Sequence, residues 1–447
     1  MSRVTIIGAG YVGLVTGVGL ANAGADVTCV DLDSRKVDLI NAARSPIHEV
    51  DLDELLSRTI GKTFRATTDL AAAVSSAEIV LLAVGTPSTD KGIDLTAIQS
   101  AARQVGEAMR SSPGYRIVVV KSTVVPGTTD QVILPILEKA SGQKAGADFG
   151  VAVNPEFLTE GQAIADFMHP DRIVIGGIDE RSIDGLAALY RPFAGAPIVR
   201  VNTRTAEMIK YASNAMLATQ ISFTNELAEL ASLQGNVDIA EVMKGIHLSA
   251  YLRPRASGPG HVLAPIASFL EAGCGFGGSC LPKDTTALAR HGERLGADMS
   301  ILNAVISRNR RQSGEVLRLL HKHLEPLSGR RITVLGLAFR PDTDDVRESP
   351  AFPVIRGLLA DRARVRAYDP VATTAAKTAL AEPTVEYASS LVDAVRDAEG
   401  IAIITRWREF ERVPALLREL GTSPVVIDGR RMLPRDSVAH YDGIGLS

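Results

Sequence analysis

The chain has 447 residues, 46% of them hydrophobic and 22% charged, with a formal net charge of −3 and a pI near 6.3. Its basic residues are scattered, which excludes a dedicated nucleic-acid or anionic-membrane surface, and no apolar run nears the roughly 20 residues that span a bilayer. Three cysteines without metal-finger spacing (Cys29, Cys274 and Cys280) and the absence of a signal segment before the first strand predict a cytoplasmic protein with reduced thiols and no metal.

In chain order, residues 3–7 (RVTII) predict a strand ending at Gly8, Val12–Ala23 a helix, and Asp26–Val30 a second strand ending at Asp31. The first turn reads GAGYVG. Gly8 permits the tight turn, Gly10 the approach of a pyrophosphate, and Gly13 close helix–strand packing, while Tyr11 and Val12 open the helix whose N-terminus faces the phosphates. Asp31 stands where a carboxylate accepts from a ribose 2′-hydroxyl and repels a 2′-phosphate. The context therefore predicts NAD over NADP, although Arg35 would suit the phosphate. The competing reading is a glycine turn that merely packs.

The runs 78–87 (EIVLLAVGTP), 115–127 (YRIVVVKSTVVPG), 148–157 (DFGVAVNPEF) and 171–177 (DRIVIGG) predict further buried strands. Apolar strands alternating with helical stretches predict a parallel sheet covered on both faces. Ligands of such sheets bind beyond the carboxyl ends of the strands, where Thr86, Pro87, Ser122, Thr123 and Asn154–Phe157 fall. In NPEFLTEG, Glu156 and Glu160 are each a general base or a cap of the next helix.

Residues 203 to about 233 predict one long helix, capped by Thr203 or Thr205 and ended by Gly235 and Asn236. Lys210 and Asn214, four apart, share one face of it, which is either solvated or turned inward for use. The Pro- and Gly-rich stretch 251–279 predicts irregular structure, with helices following to about 325. Its end, FGGSCLPKD (276–284), sets Cys280 behind Gly277, Gly278 and Ser279, a poor packing environment for a structural thiol, with Lys283 and Asp284 next. A buried structural role suits Cys274 better. From residue 330 the opening theme returns in RRITVLGLAF (330–339), ARVRAYDP (363–370), GIAIITRW (400–407) and VVIDGRR (425–431). Gly336 stands alone there, so no second dinucleotide is expected. His48, His169, His247 and His261 lack partners at ligand spacing. The expected fold is α/β: a Rossmann-like domain over 1–202, a helical middle over 203–325 with the connector helix and thiol loop, and a second Rossmann-like domain over 326–447.

GAGYVG, VGTP, KSTVVPGT, NPEFLTEG, AEMIKYASNA, FGGSCLPKD, FRPDTDDVRESP, YDP and DGRR run along nearly the whole chain. Together they resemble the nucleotide-sugar 6-dehydrogenases of the UDP-glucose/GDP-mannose dehydrogenase family. The resemblance implies a four-electron oxidation of a sugar C6 alcohol to a carboxylate, with two NAD+ per turnover, in a homodimer or higher homo-oligomer. It makes Cys280 the nucleophile of a thiohemiacetal and then a thioester, Lys210 and Asn214 the holders of the oxyanion, Asp284 their assistant at the lysine and the water, and Glu156 a base acting through water near Thr123. It assigns Thr86, Pro87, Ser122, Thr123, Glu160, Lys283 and Arg347 to the cofactor. To the sugar nucleotide it assigns Glu156, Phe157, Leu158, Lys210, Asn214, Gly277, Phe339, Arg340 and Arg431, with the nucleotide part on the 326–447 domain. The residue types suit the chemistry, since a thiol traps an aldehyde and permits a second oxidation.

Gly161, the TRW at 405–407 and the IDGRR at 427–431 resemble the UDP-glucose branch, with GDP-mannose or dTDP-glucose as alternative substrates; GGSC in place of GGHC points away from the N-acetylhexosamine branch. A two-electron hydroxyacid-type dehydrogenase would lack both the cysteine motif and the second α/β domain. A non-catalytic NAD or nucleotide-sugar binder would not need intact Cys280, Lys210, Asn214 and Asp284. Two departures stand out. Ala264 occupies the place of a substrate-reaching Arg, leaving Arg253 and Arg255 as substitutes, and Arg340 stands where Lys is common.

Overall fold

The computed structural model describes every residue except 90, 91, 113, 194, 251, 253–263 and 447, so Arg253, Arg255 and His261 lie outside the described residues. The chain divides into two compact units, Met1–Ser213 and Asn214–Ser447.

The sheet of the first unit has the strands β1 (Arg3–Ile7), β2 (Asp26–Val30), β3 (Phe64–Thr67), β4 (Ile79–Leu82), β5 (Ile117–Val120), β6 (Gly150–Val153), β7 (Ile173–Gly177) and β8 (Ile198–Asn202). They lie in the order β3-β2-β1-β4-β5-β6-β7-β8. The order reverses between β1 and β4, and such a switch point opens a crevice at the carboxyl ends of the strands. β4 (IVLL) and β5 (IVVV) are buried at every position, as strands covered on both faces must be. Helix α1 (Tyr11–Asn22) is buried from Gly13 through Ala21. Its small residues admit close neighbours: a Cβ on Gly19 would lie 2.2 Å from the ring of Phe167.

One pairing departs from the expected parallel sheet. β7 runs antiparallel to β6, with Ala152 opposite Gly177 and Val153 opposite Gly176. A parallel crossover is normally carried the length of the strand by a helix. Here the link holds only the six-residue α2 (Ala163–Met168), docked on α1 through Phe167, and the chain re-enters the sheet from the carboxyl end.

Helix α3 (Thr203–Gln234) runs for 32 residues from the first unit into the second. Its capping side chain is Asn202, whose Oδ1 accepts from the Thr205 N–H at 2.8 Å. Neither expected threonine caps, and the Thr203 hydroxyl donates instead to Asp130 at 2.6 Å. The helix stops where Gly235 and Asn236 take φ of 75° and 55°, as left-handed residues do.

In the second unit lie α4 (Ile239–His247), α5 (Leu281–Arg294), α6 (Ser300–Leu324) and a six-stranded sheet: β9 (Arg331–Leu335), β10 (Arg364–Tyr368), β11 (Glu386–Tyr387), β12 (Gly400–Ile403), β13 (Val425–Asp428) and β14 (His440–Gly443). All its pairings are parallel, in the order β11-β10-β9-β12-β13-β14. Val316, Leu319 and Leu320 of α6 join Ile332, Val334 and Val354 in its core. The protein is thus α/β, with a doubly wound, largely parallel sheet in each unit.

Candidate active site

The glycine-rich turn leaves β1 at the switch point. Gly8 has φ +108°, and a Cβ there would meet Ala83 O at 2.7 Å; a Cβ on Gly13 would lie 1.9 Å from Gly8 O. Nothing lies within 4 Å of where a Gly10 Cβ would be. Gly10 is also the N-cap of α1 and supplies no side-chain acceptor, so no cap side chain competes for the first N–H groups of the helix, where an anion is favoured. Asp31 Oδ2 accepts from Ala9 N at 2.9 Å and Oδ1 from Asp33 N at 3.0 Å. These residues fit the pyrophosphate and ribose of a dinucleotide. Arg35 pairs with Asp33 at 3.0 Å and is exposed. Two further ties shape the crevice: Thr86 Oγ1 donates to Thr123 O at 2.7 Å, and Ser122 Oγ to Val84 O at 2.6 Å. Pro87 is exposed and Val12 half-buried.

Tyr11 links this turn to NPEFLTEG. Its hydroxyl donates to the buried Glu49, which accepts from Gly161 N and Ala163 N, each at 2.8 Å. Burial first, and then Glu49, push the phenol upward, so the hydroxyl keeps its proton. Sequence reasoning passed over Glu49, which sits in a segment with no periodic pattern to mark it.

Past β6, Glu156 pairs with Lys210 of α3 at 2.9 Å, their side chains 7% and 4% exposed. Glu156 also accepts from Leu158 N at 2.8 Å. Burial alone would raise this carboxyl, but Lys210, the Leu158 N–H and Lys121 outweigh it and hold Glu156 below its ordinary value. Removing either partner of such a pair leaves an uncompensated buried charge, costing about 3–5 kcal/mol. The ring of Phe157 lies 3.9 Å from the Arg172 guanidinium and 5.4 Å from Lys210 Nζ; Leu158 and Glu160 are half-buried beside it. Lys121, which sequence reasoning did not single out, is buried with Nζ 2.8 Å from Asn154 Oδ1. Burial pushes its ammonium down to about 8. The signal was a lysine ending the apolar run IVVV.

The thiol belongs to the second unit. Cys280 is half-buried at the N-cap of α5, where the helix terminus favours negative charge. Its sulfur lies 3.5 Å from Ser279 Oγ. One turn into α5, Asp284 is 1% exposed and holds Asn214 Nδ2 and Lys283 Nζ, each at 2.6 Å. Asn214 therefore faces the interior and not solvent. Gly277 and Gly278 are required by crowding: a Cβ on Gly277 would lie 2.2 Å from Glu348 O, and one on Gly278 2.7 Å from the Phe339 ring. Gly278 N donates to Arg347 O at 2.8 Å. The Arg347 side chain pairs with Asp345 at 2.6 Å, and Arg340 is half-buried beside Phe339. Lys283 and Arg347 thus stand in the second unit and the glycine-rich turn in the first.

A cavity of about 530 Å³ opens in the second unit among Met243, Lys244, His247, Glu271, Arg406, Arg430 and Arg431. Arg431 is braced at 2.7 Å by Asp238, and Arg406 pairs with Glu271 at 2.6 Å. Arg406 and Arg430 were not predicted as site residues; only Arg431 was. Among the described residues, no group of His, Cys, Asp and Glu could hold a metal ion and no helix is long and apolar enough to cross a membrane.

Comparison with known proteins matches three family models in order. Residues 2–194 match the NAD binding domain of the UDP-glucose/GDP-mannose dehydrogenase family, 204–311 its central domain and 333–435 its UDP binding domain. The chain is 40% identical to the UDP-glucose 6-dehydrogenase AglM of Haloferax volcanii, covering 99% of this chain and 100% of that one. It is 37% identical to a GDP-mannose 6-dehydrogenase of Pseudomonas putida, covering 99% of both. The structure of a UDP-glucose dehydrogenase from Pyrobaculum islandicum is similar, with a TM-score of 0.90 at 38% identity, covering 100% of this chain and 98% of the other.

Proposed function

The chain belongs to the UDP-glucose/GDP-mannose dehydrogenase family of NAD-dependent oxidoreductases, and we propose that it oxidises the C6 alcohol of UDP-glucose to the carboxylate of UDP-glucuronate. The observation that carries this reading is Cys280 at the head of α5, followed by an Asp284 that holds both Asn214 and Lys283. A simple alcohol dehydrogenase needs no such thiol.

When bound, NAD accepts a hydride in each of the two oxidations. The chain supplies the rest. Cys280 Sγ adds to the aldehyde carbon, forming a C–S bond and a thiohemiacetal whose oxygen takes hydrogen bonds from Asn214 Nδ2 and the Lys210 ammonium. Loss of the second hydride leaves a thioester. Water then adds to its carbon as one proton passes through Glu156 to solvent; the C–S bond breaks, the sulfur departs as thiolate, and the acid loses its second proton to solvent as the carboxylate is released. Glu156, held ionised by Lys210 and Lys121, accepts a hydrogen bond from that water and orients it near Thr123. The depressed carboxyl suits orientation better than permanent proton uptake.

The cavity with Arg406, Arg430 and Arg431 supports a site for the anionic nucleotide, since guanidinium forks match phosphate. Met216, Phe223 and Leu230 are 52%, 52% and 60% exposed at seven-residue spacing on α3, and we read this stripe as the face of a homodimer. The GDP-mannose relative supports a second reading, the same oxidation of another nucleotide sugar. NADH yield from a limiting amount of each donor separates them. About two NADH per UDP-glucose, and little from GDP-mannose or dTDP-glucose, is expected. About one would mean that oxidation stops at the aldehyde and that Cys280 has a different role.

A further inference from the structure

We propose that Asn309 is a positioning residue for the Cys280 thiol, its carboxamide standing in for a neighbouring β-strand at Phe276. The inference rests on the reading of Cys280 as the nucleophile and extends it to a residue on another helix.

Gly277 and Gly278 precede Ser279 and Cys280. Glycines are conformationally permissive, so a Gly-Gly pair holds a thiol in place only if both ends of the segment are fixed. The far end is α5, where Asp284 N donates to Cys280 O at 2.8 Å. The near end is Phe276. Asn309 Oδ1 accepts from Phe276 N at 2.8 Å, and Asn309 Nδ2 donates to Phe276 O at 2.9 Å. One side chain thereby satisfies both backbone groups of one residue, as the edge of a sheet would.

The surroundings are built for this contact. Asn309 lies well inside α6, where Asn is intrinsically poor by several tenths of a kcal/mol relative to Ala. Gly275 has φ +92°, and a Cβ on it would lie 2.5 Å from Asn309 Oδ1, so any larger residue there would push the amide away. One turn along α6, Gln312 Nε2 donates to Gly273 O at 2.7 Å. From α3, Asn225 Oδ1 accepts from Gly273 N at 2.8 Å, and Arg308 Nη2 donates to Asn225 O at 2.8 Å. Arg308 is in turn paired with Glu229. On the opposite side, Phe339 and Glu348 leave no slack at Gly277 and Gly278. A shift at Phe276 therefore passes along the loop to the sulfur.

The test compares wild type, Asn309→Asp, Asn309→Ala and Cys280→Ala. Asp keeps the shape and the acceptor for Phe276 N but sets an anionic oxygen against Phe276 O. Both Asn309 variants should lower kcat with UDP-glucose roughly 10- to 100-fold, while KM for NAD+ stays within about two-fold. They should also change the rate of Cys280 alkylation by iodoacetamide, followed peptide by peptide without substrate. If Asn309→Ala fails to fold, the near-isosteric Asp variant decides. A folded Asn309→Asp protein with wild-type kcat and wild-type alkylation overturns the proposal while Cys280→Ala is inactive. Undiminished NADH production by Cys280→Ala overturns the thiol reading itself, and the positioning role with it.

Discussion

After β1 the chain runs Gly8-Ala9-Gly10 into α1; after β9, at the matching switch point, it runs Gly336-Leu337-Ala338 into a loop against which the thiol loop packs. Both turns are held by an aspartate at the end of the next strand, and the two aspartates differ in how much of them is used. Asp31 takes Ala9 N and Asp33 N and has Lys36 at 3.6 Å, its side chain 14% exposed. Asp369 takes Leu337 N, Ala338 N, Val371 N, Ala372 N and the indole N–H of Trp407, and is 2% exposed. Its lone pairs are filled by the protein. An acidic residue at this position therefore does not by itself mark a dinucleotide site. An open glycine with spare acceptor capacity beside it does, and of the two turns only the first has them.

The sharpest way to break this comparison is to add one methyl group at each of two glycines. Gly13→Ala puts a Cβ 1.9 Å from Gly8 O and should cost more than about 4 kcal/mol, enough to leave the first unit unfolded. Gly10→Ala meets nothing within 4 Å at a φ of −79° that Ala accepts. It should leave the thermal midpoint unchanged while raising KM for NAD+ roughly tenfold or more, because the methyl occupies the path of the pyrophosphate. A Gly10→Ala protein with wild-type KM for NAD+ would mean that the cradle is only a packing turn. The aspartates come next in size. Asp369→Ala strands several buried donors and should cost about 3 kcal/mol without touching KM for NAD+. Asp31→Ala exposes its donors to water, so it should cost about 1 kcal/mol or less in stability but weaken NAD markedly. Equal effects of the two on melting and on NAD kinetics would erase the distinction.

Much of this was legible because it depends on local spacing. GAGYVG between a strand and a helix, with Asp31 at the next strand end, is a contiguous pattern, and so is the glycine-flanked Cys280. The antiparallel β7 was not legible: a strand buried on both faces is apolar throughout, and its direction leaves no mark on the pattern. The Asn202 cap was missed because Thr203 and Thr205, close by and themselves common cappers, drew the prediction inward. Asn309 and Gln312 were invisible for a different reason. They are ordinary polar residues inside an amphipathic helix, and only the fold shows that they face a backbone from 33 and 39 residues away. The Arg406–Glu271 pair is likewise made by topology, across 135 residues.

Two buried carboxyls, one in each unit, should also answer pH in opposite directions, which sharpens the contrast at its smallest scale. In the first unit, buried Glu207 accepts from Gly127 N and Thr129 N at the head of the segment after β5. Burial, with Asp130 adding to it, outweighs those bonds and pushes the carboxyl up to about 7. The folded state then holds a proton that the unfolded state has released, so stability falls as pH rises from about 4.5 to about 7, and the cost is fully present above that. In the second unit, burial would raise Asp442, but His323, Lys322 and Gly443 N outweigh it and hold the carboxyl below its ordinary value. That stability is present above the usual carboxylate range and is lost as pH falls through the folded value. Thermal midpoints of wild type, Glu207→Gln and Asp442→Asn across pH 3 to 8 read both limbs. Glu207→Gln should flatten the fall between about pH 4.5 and 7, for a net gain near neutrality of about 1 kcal/mol, since one face of the amide must still confront an N–H donor. Asp442→Asn should lower the plateau and make the acid limb shallower. If both variants ran parallel to wild type, neither carboxyl would titrate as its surroundings demand, and the difference between the units would be confined to their switch-point turns.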